Sequence, residues 1–419
     1  MRSWLTKTIS CLLAVMMLTG TAAVDVQAAG PVGAGTVQAA SSGPVSSELH
    51  GVWISYLEWN KLPTEVNAFR KAVDQMMDNC VSLGMNAVFV HARSHGDAMY
   101  PSSYFPWSKM VSGQQGKNPG YDPFAYMIEA AHARNLEFHA WVNPYRVTGY
   151  LNQWSDVSSS NQAKKWLTDS DTSNDRWVLK QDGEYYYNPS IPQVRKLIED
   201  GIQEIIDKYD VDGIHFDDYF YPSLDNNDAN RWFDKPEYDA SGSSKTISVW
   251  RRDNVNTLVR EIYQLVKAKN GKIQFGISPA GYVKNLRSDA AYFCDIDTWM
   301  SQSGYIDYIM PQLYWGFECR TSAGQLADYA YTQNLNTWVN LKKQGPVKLY
   351  LGLIADRAGK DIKDNNAVSE WLSHDDILKR QVLAARGTGQ VSGFSFFSYS
   401  SFYEDTAKKE VENLKSVLK

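Results

Sequence analysis

Asp212-Gly213-Ile214-His215-Phe216-Asp217-Asp218-Tyr219-Phe220-Tyr221-Pro222 is the stretch on which the fold turns. A short apolar run leads straight into two carboxylates, an imidazole and three aromatic rings. Ionisable groups at that density are expensive in a strand core unless they are paired. A strand that ends in them delivers side chains to a cleft. Side chains alternate across a strand. Ile214 and Phe216 therefore share the face that packs on helices, and His215 and Asp217 share the face that points inward. Asp218 falls on the outer face unless the strand has already ended. Asp217 is the first choice for chemistry and Asp218 the second.

Working outward, the same kind of short apolar run recurs at Leu49–Ser55, Ala87–Ala92, Leu136–Val142, Ile273–Ile277, Ile306–Met310, Lys348–Leu353 and Gly393–Phe397. Amphipathic stretches with helical spacing lie between them, at Ala68–Leu83, Phe124–Ala133, Val194–Tyr209, Asn254–Ala268, Gln325–Leu341 and Asp376–Ala385. Strands alternating with helices imply a parallel sheet. Eight of them over this length predict an α/β fold closed as a (β/α)8 TIM barrel. No Gly-x-Gly-x-x-Gly follows the first strand, which argues against a dinucleotide fold. Long loops are expected after strands 2 and 3, at 93–121 and 143–188, on the catalytic face.

Catalytic groups of such barrels come from the C-terminal ends of strands. The first strand ends at Trp53. The second ends with His91 and Arg93, followed by Asp97. The third ends with His139, Trp141, Asn143, Tyr145 and Arg146. The sixth runs into Gln312, Tyr314 and Trp315, with Glu318 shortly after. Parity places His91 and Arg93 inside on the second strand, and His139, Trp141 and Asn143 inside on the third. These residues, with His215 and Tyr219, form the expected substrate-binding set around Asp217.

Two carboxylates beside aromatic rings suggest sugar chemistry. Glycoside hydrolysis ordinarily uses two carboxyl groups flanking the scissile bond, one protonated and one ionised. Asp217 supplies one, and Arg93, Arg146 and His215 are placed to hold it ionised. The second is left open among Asp218, Glu318, Asp97 and Asp356. A metal-dependent hydrolase or deacetylase is a competing reading, with His91, His139, His215 and Asp217 as ligands, although no HExxH spacing supports it. A non-catalytic glycan-binding barrel is another.

The chain has 419 residues and a formal net charge of -5, which leaves no basic footprint for nucleic acid. Its 14 Trp and 25 Tyr supply rings that pack a core or stack on sugars. Arg2 and Lys7 precede an apolar stretch from Ile9 to Leu18, and Val26-Gln27-Ala28 fits a small-x-small cleavage site. The expected organisation is a signal peptide over 1–28, a flexible linker over 29–47 and a catalytic domain over 48–419. The membrane is met only through the signal segment. Cys80, Cys294 and Cys319 show no CxxC spacing and read as buried thiols. No cofactor and no metal are expected.

Several runs resemble the glycoside hydrolase-like family ten of secreted bacterial TIM-barrel proteins. They are Leu49–Ile54, Gly96–Ser102, Tyr104–Ser108, Pro119–Pro123, His139–Arg146, the opening segment and Pro311–Trp315. Together they spread over about residues 48–400. The resemblance implies a hydrolase working outside the cytoplasm, secreted or attached to the cell wall. An enterobacterial member that joins the cell-division machinery cleaves peptidoglycan glycan strands lacking stem peptides. The implied substrate is thus a polysaccharide of amino sugars joined by β-glycosidic bonds, with cell-division proteins as partners. For such a substrate the 2-acetamido group can itself attack the anomeric carbon, a known exception to the two-carboxylate scheme. Neighbouring acids on the fourth strand suit that route.

Overall fold

The computed structural model describes residues 48–224, 233–343, 345–362 and 369–419. The proposed signal peptide and linker lie outside the described residues. Eight parallel strands close into a barrel: β1 (Leu49–Ile54), β2 (Ala87–Arg93), β3 (Glu137–Val142), β6 (Gly213–Phe216), β7 (Gln274–Ile277), β8 (Tyr308–Ile309), β9 (Lys348–Ile354) and β10 (Gly393–Phe397). Each neighbours the next, and β10 closes the ring on β1, with Leu49 opposite Gly393 and Val52 opposite Phe396. All eight expected strands are present. Helices follow at Val66–Leu83, Pro123–His132, Pro192–Lys208, Ile247–Lys269, Tyr331–Val339 and Ile377–Gly387, and Lys408–Leu418 ends the chain.

Local chemistry sets the helix ends. Ser55 and Glu58 form a capping box at the turn leaving β1. Asp122 caps the helix that begins with Pro123, where a missing N–H costs nothing. Gly84, at φ 87°, ends the helix Val66–Leu83 in a left-handed conformation. The helix expected over Gln325–Leu341 starts only at Tyr331. Ala327 and Ala330 are instead drawn into a small separate cluster with Cys319 and Tyr329.

Strand parity divides the core as expected. Outward residues such as Val52, Val88, Ala140, Ile214, Phe216 and Phe394 pack with the helices in one large buried cluster. Inward residues Leu49, Trp53, Phe89, Trp141, Tyr308, Met310 and Tyr350 fill the barrel as a second. Burying each large apolar side chain contributes about 1.5–3 kcal/mol. The interior fits because bulky groups face glycines. A Cβ at Gly213 would collide with the His139 ring, and one at Gly276 with the Tyr308 ring.

Two further strands, β4 (Val178–Gln181) and β5 (Glu184–Tyr187), form an antiparallel hairpin between β3 and the helix Pro192–Lys208. The sequence predicts only a long loop over 143–188, and the structure sets this hairpin within it. Glu58 ties the first strand to the last at the mouth. Its Oε2 accepts from Ser55 N–H (2.8 Å) and Oγ (2.6 Å), and its Oε1 from Ser398 Oγ (2.7 Å), Ser400 N–H (3.2 Å) and Ser400 Oγ (2.7 Å). Cys80, Cys294 and Cys319 are buried, and no disulfide joins them among the described residues.

Candidate active site

β6 ends at Phe216, so Asp217 and Asp218 leave the pleat and both turn into the mouth. Asp217 Oδ2 accepts the Trp141 indole N–H (3.0 Å), and its Oδ1 accepts the Tyr219 backbone N–H (3.1 Å). Asp218 is hydrogen-bonded by the Gln312 side chain. Both acids are buried. Burial, and then the charge of Asp218, push Asp217 well above the ordinary carboxylate range. Burial pushes Asp218 up to about 6, against the opposing pull of Arg146. Two buried acids side by side resist ionising together, which favours one donor and one acceptor.

Arg146 is the cation facing the pair, and it favours the ionised form of both. Its guanidinium lies over the Tyr219 ring at 4.5 Å and the Tyr56 ring at 6.0 Å. Behind it the hairpin supplies Glu184, whose Oε2 is 4.0 Å from Arg146 Nη2. His91 stacks on Trp141 with ring centroids 3.4 Å apart. Its Nδ1 accepts the Tyr56 backbone N–H (3.0 Å), so the neutral ring carries its proton on Nε2, which has no protein partner. Burial keeps His91 neutral. The Tyr314 ring sits near Phe397, and its hydroxyl lies in the field of Asp218 and Asp217.

The floor of the mouth is a polar relay through the barrel interior. The Trp53 indole can only donate, so His215 Nε2 accepts its N–H (3.2 Å). The proton of neutral His215 is therefore on Nδ1 and is given to the Tyr308 hydroxyl (3.0 Å). Tyr308 in turn donates to His139 Nδ1 (3.2 Å), leaving His139 Nε2 3.5 Å from Glu137 Oε2. Burial, with His139 nearby, depresses the His215 pKa and keeps it in this neutral form. His215 thus lies directly under the acids, whereas His139 lies toward the opposite end of the barrel. Among the described residues no three His, Cys, Asp or Glu side chains are grouped as metal ligands.

The structure thus brings together Asp217, Asp218, Trp53, His91, Trp141, Arg146, His215, Tyr219, Gln312 and Tyr314. It does not bring in the rest. A register shift between His91 and Arg93 reverses parity at the end of β2. Arg93 therefore turns outward, over Phe105 at 4.5 Å, and donates to Pro144 O (3.0 Å). Asp97 is buried beneath the loops, bonded by Gln115 (2.9 Å) and Asn152 (3.3 Å), and burial pushes it up to about 6. Asn143 Nδ2 is spent on Ser94 O (3.0 Å). Tyr145 points into the outer core, in the field of Arg195, Glu261 and Glu199. Trp315 packs on Tyr329. Glu318 is exposed, with its backbone N–H held by Glu370 (2.9 Å) and no described bond to the acid pair. Asp356 pairs with Lys360 (2.9 Å).

Four residues around the acids and Arg146 lie outside the set expected from sequence. Tyr56 follows β1 by two residues and was within reach of the strand-end rule. Glu184 reaches the mouth on a hairpin that carries no local signal of its destination. Tyr292 and Cys294 approach Asp218 from the loop after β7, where Tyr292 (φ 57°) and Phe293 (φ 53°) are consecutive left-handed residues.

Comparison with known proteins bears on the family and the fold. The model of a family described as glycosyl hydrolase-like 10 matches residues 48–371. Glycosyl hydrolase YngK of Bacillus subtilis is 37% identical over 372 residues, covering 84% of this chain and 68% of the relative. Glycosyl hydrolase DigH of Escherichia coli K12 is 30% identical over 416 residues, covering 91% and 90%. Among solved structures, the glycoside hydrolase domain of PgaB (BpsB) from Bordetella bronchiseptica shares the fold, with a TM-score of 0.58 at 14% identity over 89% of this chain and 99% of that one. An endo-1,4-beta-mannanase from Rhizomucor miehei does so with a TM-score of 0.52 at 12% identity, over 88% and 94%. With its eight-stranded barrel, its strand-end acids and a match over most of its length, the chain belongs to the glycosyl hydrolase-like 10 family.

Proposed function

We propose that this protein is an exported glycoside hydrolase that cleaves β-glycosidic bonds in a cell-wall glycan, namely peptidoglycan strands lacking stem peptides. The observation that carries the reading is the Asp217–Asp218 pair, two coupled buried acids set among Trp141, Tyr219 and Tyr314 at the strand end. Such a pair offers both a proton donor and a carboxylate, as glycoside hydrolysis requires. The relatives named as glycosyl hydrolases support hydrolysis. The composition of residues 1–28 supports export. Association with cell-division proteins belongs to the same reading and rests on the family resemblance alone.

The test is release of sugar fragments from peptidoglycan strands with and without stem peptides, resolved by mass spectrometry. The wild-type protein is expected to act on the stripped strands. Asp217→Asn is expected to lower that rate by about 10²–10⁴-fold while strand binding survives. Full activity in D217N would sink the assignment. Strand binding with no product from the wild type would leave a glycan-binding protein, and activity lost on thorough chelation would favour the metal-dependent alternative.

A further inference from the structure

The mouth holds its two acids on the same strand end, side by side. A two-carboxylate mechanism needs them on opposite sides of the scissile bond. The other carboxylates considered are committed elsewhere: Asp97 to Gln115 and Asn152, Asp356 to Lys360, and Glu184 to the Tyr186 hydroxyl, 4.0 Å from Arg146, while Glu318 is exposed without a described bond to the pair. The two adjacent acids are also not equivalent. Burial and the neighbouring Asp218 raise Asp217, but both of its oxygens already accept N–H groups, which fixes its plane, leaves neither oxygen free to carry a proton toward a leaving group and so assigns the pair's proton to Asp218. Asp218 is held by the Gln312 side chain. The Tyr314 hydroxyl is a third polar group in the field of both acids.

We propose that the nucleophile is the substrate's own 2-acetamido group, so that this site acts on 2-acetamido sugars and requires their N-acetyl group. The inference rests on the hydrolase reading above and specifies its mechanism. The acetamido carbonyl oxygen bonds to C1 as the C1–O bond to the leaving sugar breaks. The electron pair of that bond goes to the leaving oxygen, which takes the proton of Asp218. The Asp217 carboxylate accepts the amide N–H and balances the charge of the cyclic oxazolinium. Tyr314 donates to the attacking carbonyl oxygen and orients it. A water molecule then gives its proton to Asp218 and bonds to C1, the ring opens, and the acetamido group is restored. The sum is one water added across the bond, with retained anomeric configuration.

The experiment compares three preparations of peptidoglycan strands freed of stem peptides: native, chemically de-N-acetylated, and re-N-acetylated with acetic anhydride. Wild-type protein is expected to cleave the native strands, to lose about 10³-fold or more in rate on the de-N-acetylated strands, and to recover on the re-acetylated ones. Nuclear magnetic resonance of the first product is expected to show the β-anomer, and the thiazoline of N-acetylglucosamine is expected to inhibit competitively. Cleavage of native and de-N-acetylated strands at comparable rates, or an inverted first product, overturns the proposal while leaving the hydrolase reading standing. No cleavage of any preparation overturns that reading and this proposal with it.

Discussion

At the residue scale, the decisive fact is how Asp217 is held. The Trp141 indole and the Tyr219 backbone give it two donors, and Asn at this position keeps the shape but sets its NH2 against one of them. Replacing a buried charge that faces a second acid relieves repulsion. With that relief set against the acceptor lost to one N–H, Asp217→Asn is expected to unfold close to the wild-type temperature, even as hydrolysis is lost. Calorimetry beside the product assay checks both halves, and a large fall in midpoint would mean the acid is structural. Gly213 makes the opposite case. A Cβ there meets the His139 ring, which is pinned by Tyr308. Gly213→Ala is expected to cost about 1–3 kcal/mol, the usual range for overpacking a filled core, measurable by denaturant unfolding.

At the scale of elements, the eight strands and most helices were legible because hydrophobic period and length report on burial, which neighbours in sequence share. Parity on β6 gave His215 its inward place for the same reason. What escaped was everything that depends on contacts distant in sequence. The shift between His91 and Arg93 adds a residue to one strand only, and no residue type there announces it. The hairpin Val178–Tyr187 reaches the mouth through Arg146 and Glu184, residues far apart in the chain. Asp218 was placed by the end of a strand, and strand ends are the least certain part of any such reading. The relay from Trp53 to His139 is likewise a tertiary object. Tyr308→Phe removes its middle and leaves the His215 Nδ1–H and His139 Nδ1 buried without a partner. The expected cost is about 1–3 kcal/mol for the unsatisfied groups, and unchanged stability by urea titration would show that the relay is dispensable.

At the scale of the whole molecule, buried acids and buried imidazoles pull stability in opposite directions with pH. Glu199 and Glu410 are pushed up to about 7, chiefly by burial. The native state keeps protons there that the unfolded chain has released, so stability grows as pH falls from 8 toward about 6.5. His91, His95 and His215 are depressed by burial. Below about 6.5, the ordinary histidine value, the unfolded chain takes up protons that these three refuse, and that contribution to stability is lost as pH falls further. Asp97, Asp217 and Asp218 are raised as well and keep protons through the same range, so the raised acids outnumber the three histidines and the thermal midpoint is expected to rise as pH falls from 8 to about 6. A midpoint that climbs steadily from pH 6 to 8 would contradict the assignment of raised acids.

The seam between β1 and β10, with Glu58 reaching across it to Ser398 and Ser400, also sets an order in time. A chain that lengthens from its N-terminus carries Trp53, Trp141 and both acids long before the strand that encloses them exists. Until Gly393–Phe397 arrives, the barrel is an open sheet with two unsatisfied edges and no mouth. Chemistry is thereby deferred until Gly393–Phe397 is made, and a product cut before that strand inherits every candidate catalytic side chain but no place in which to use them.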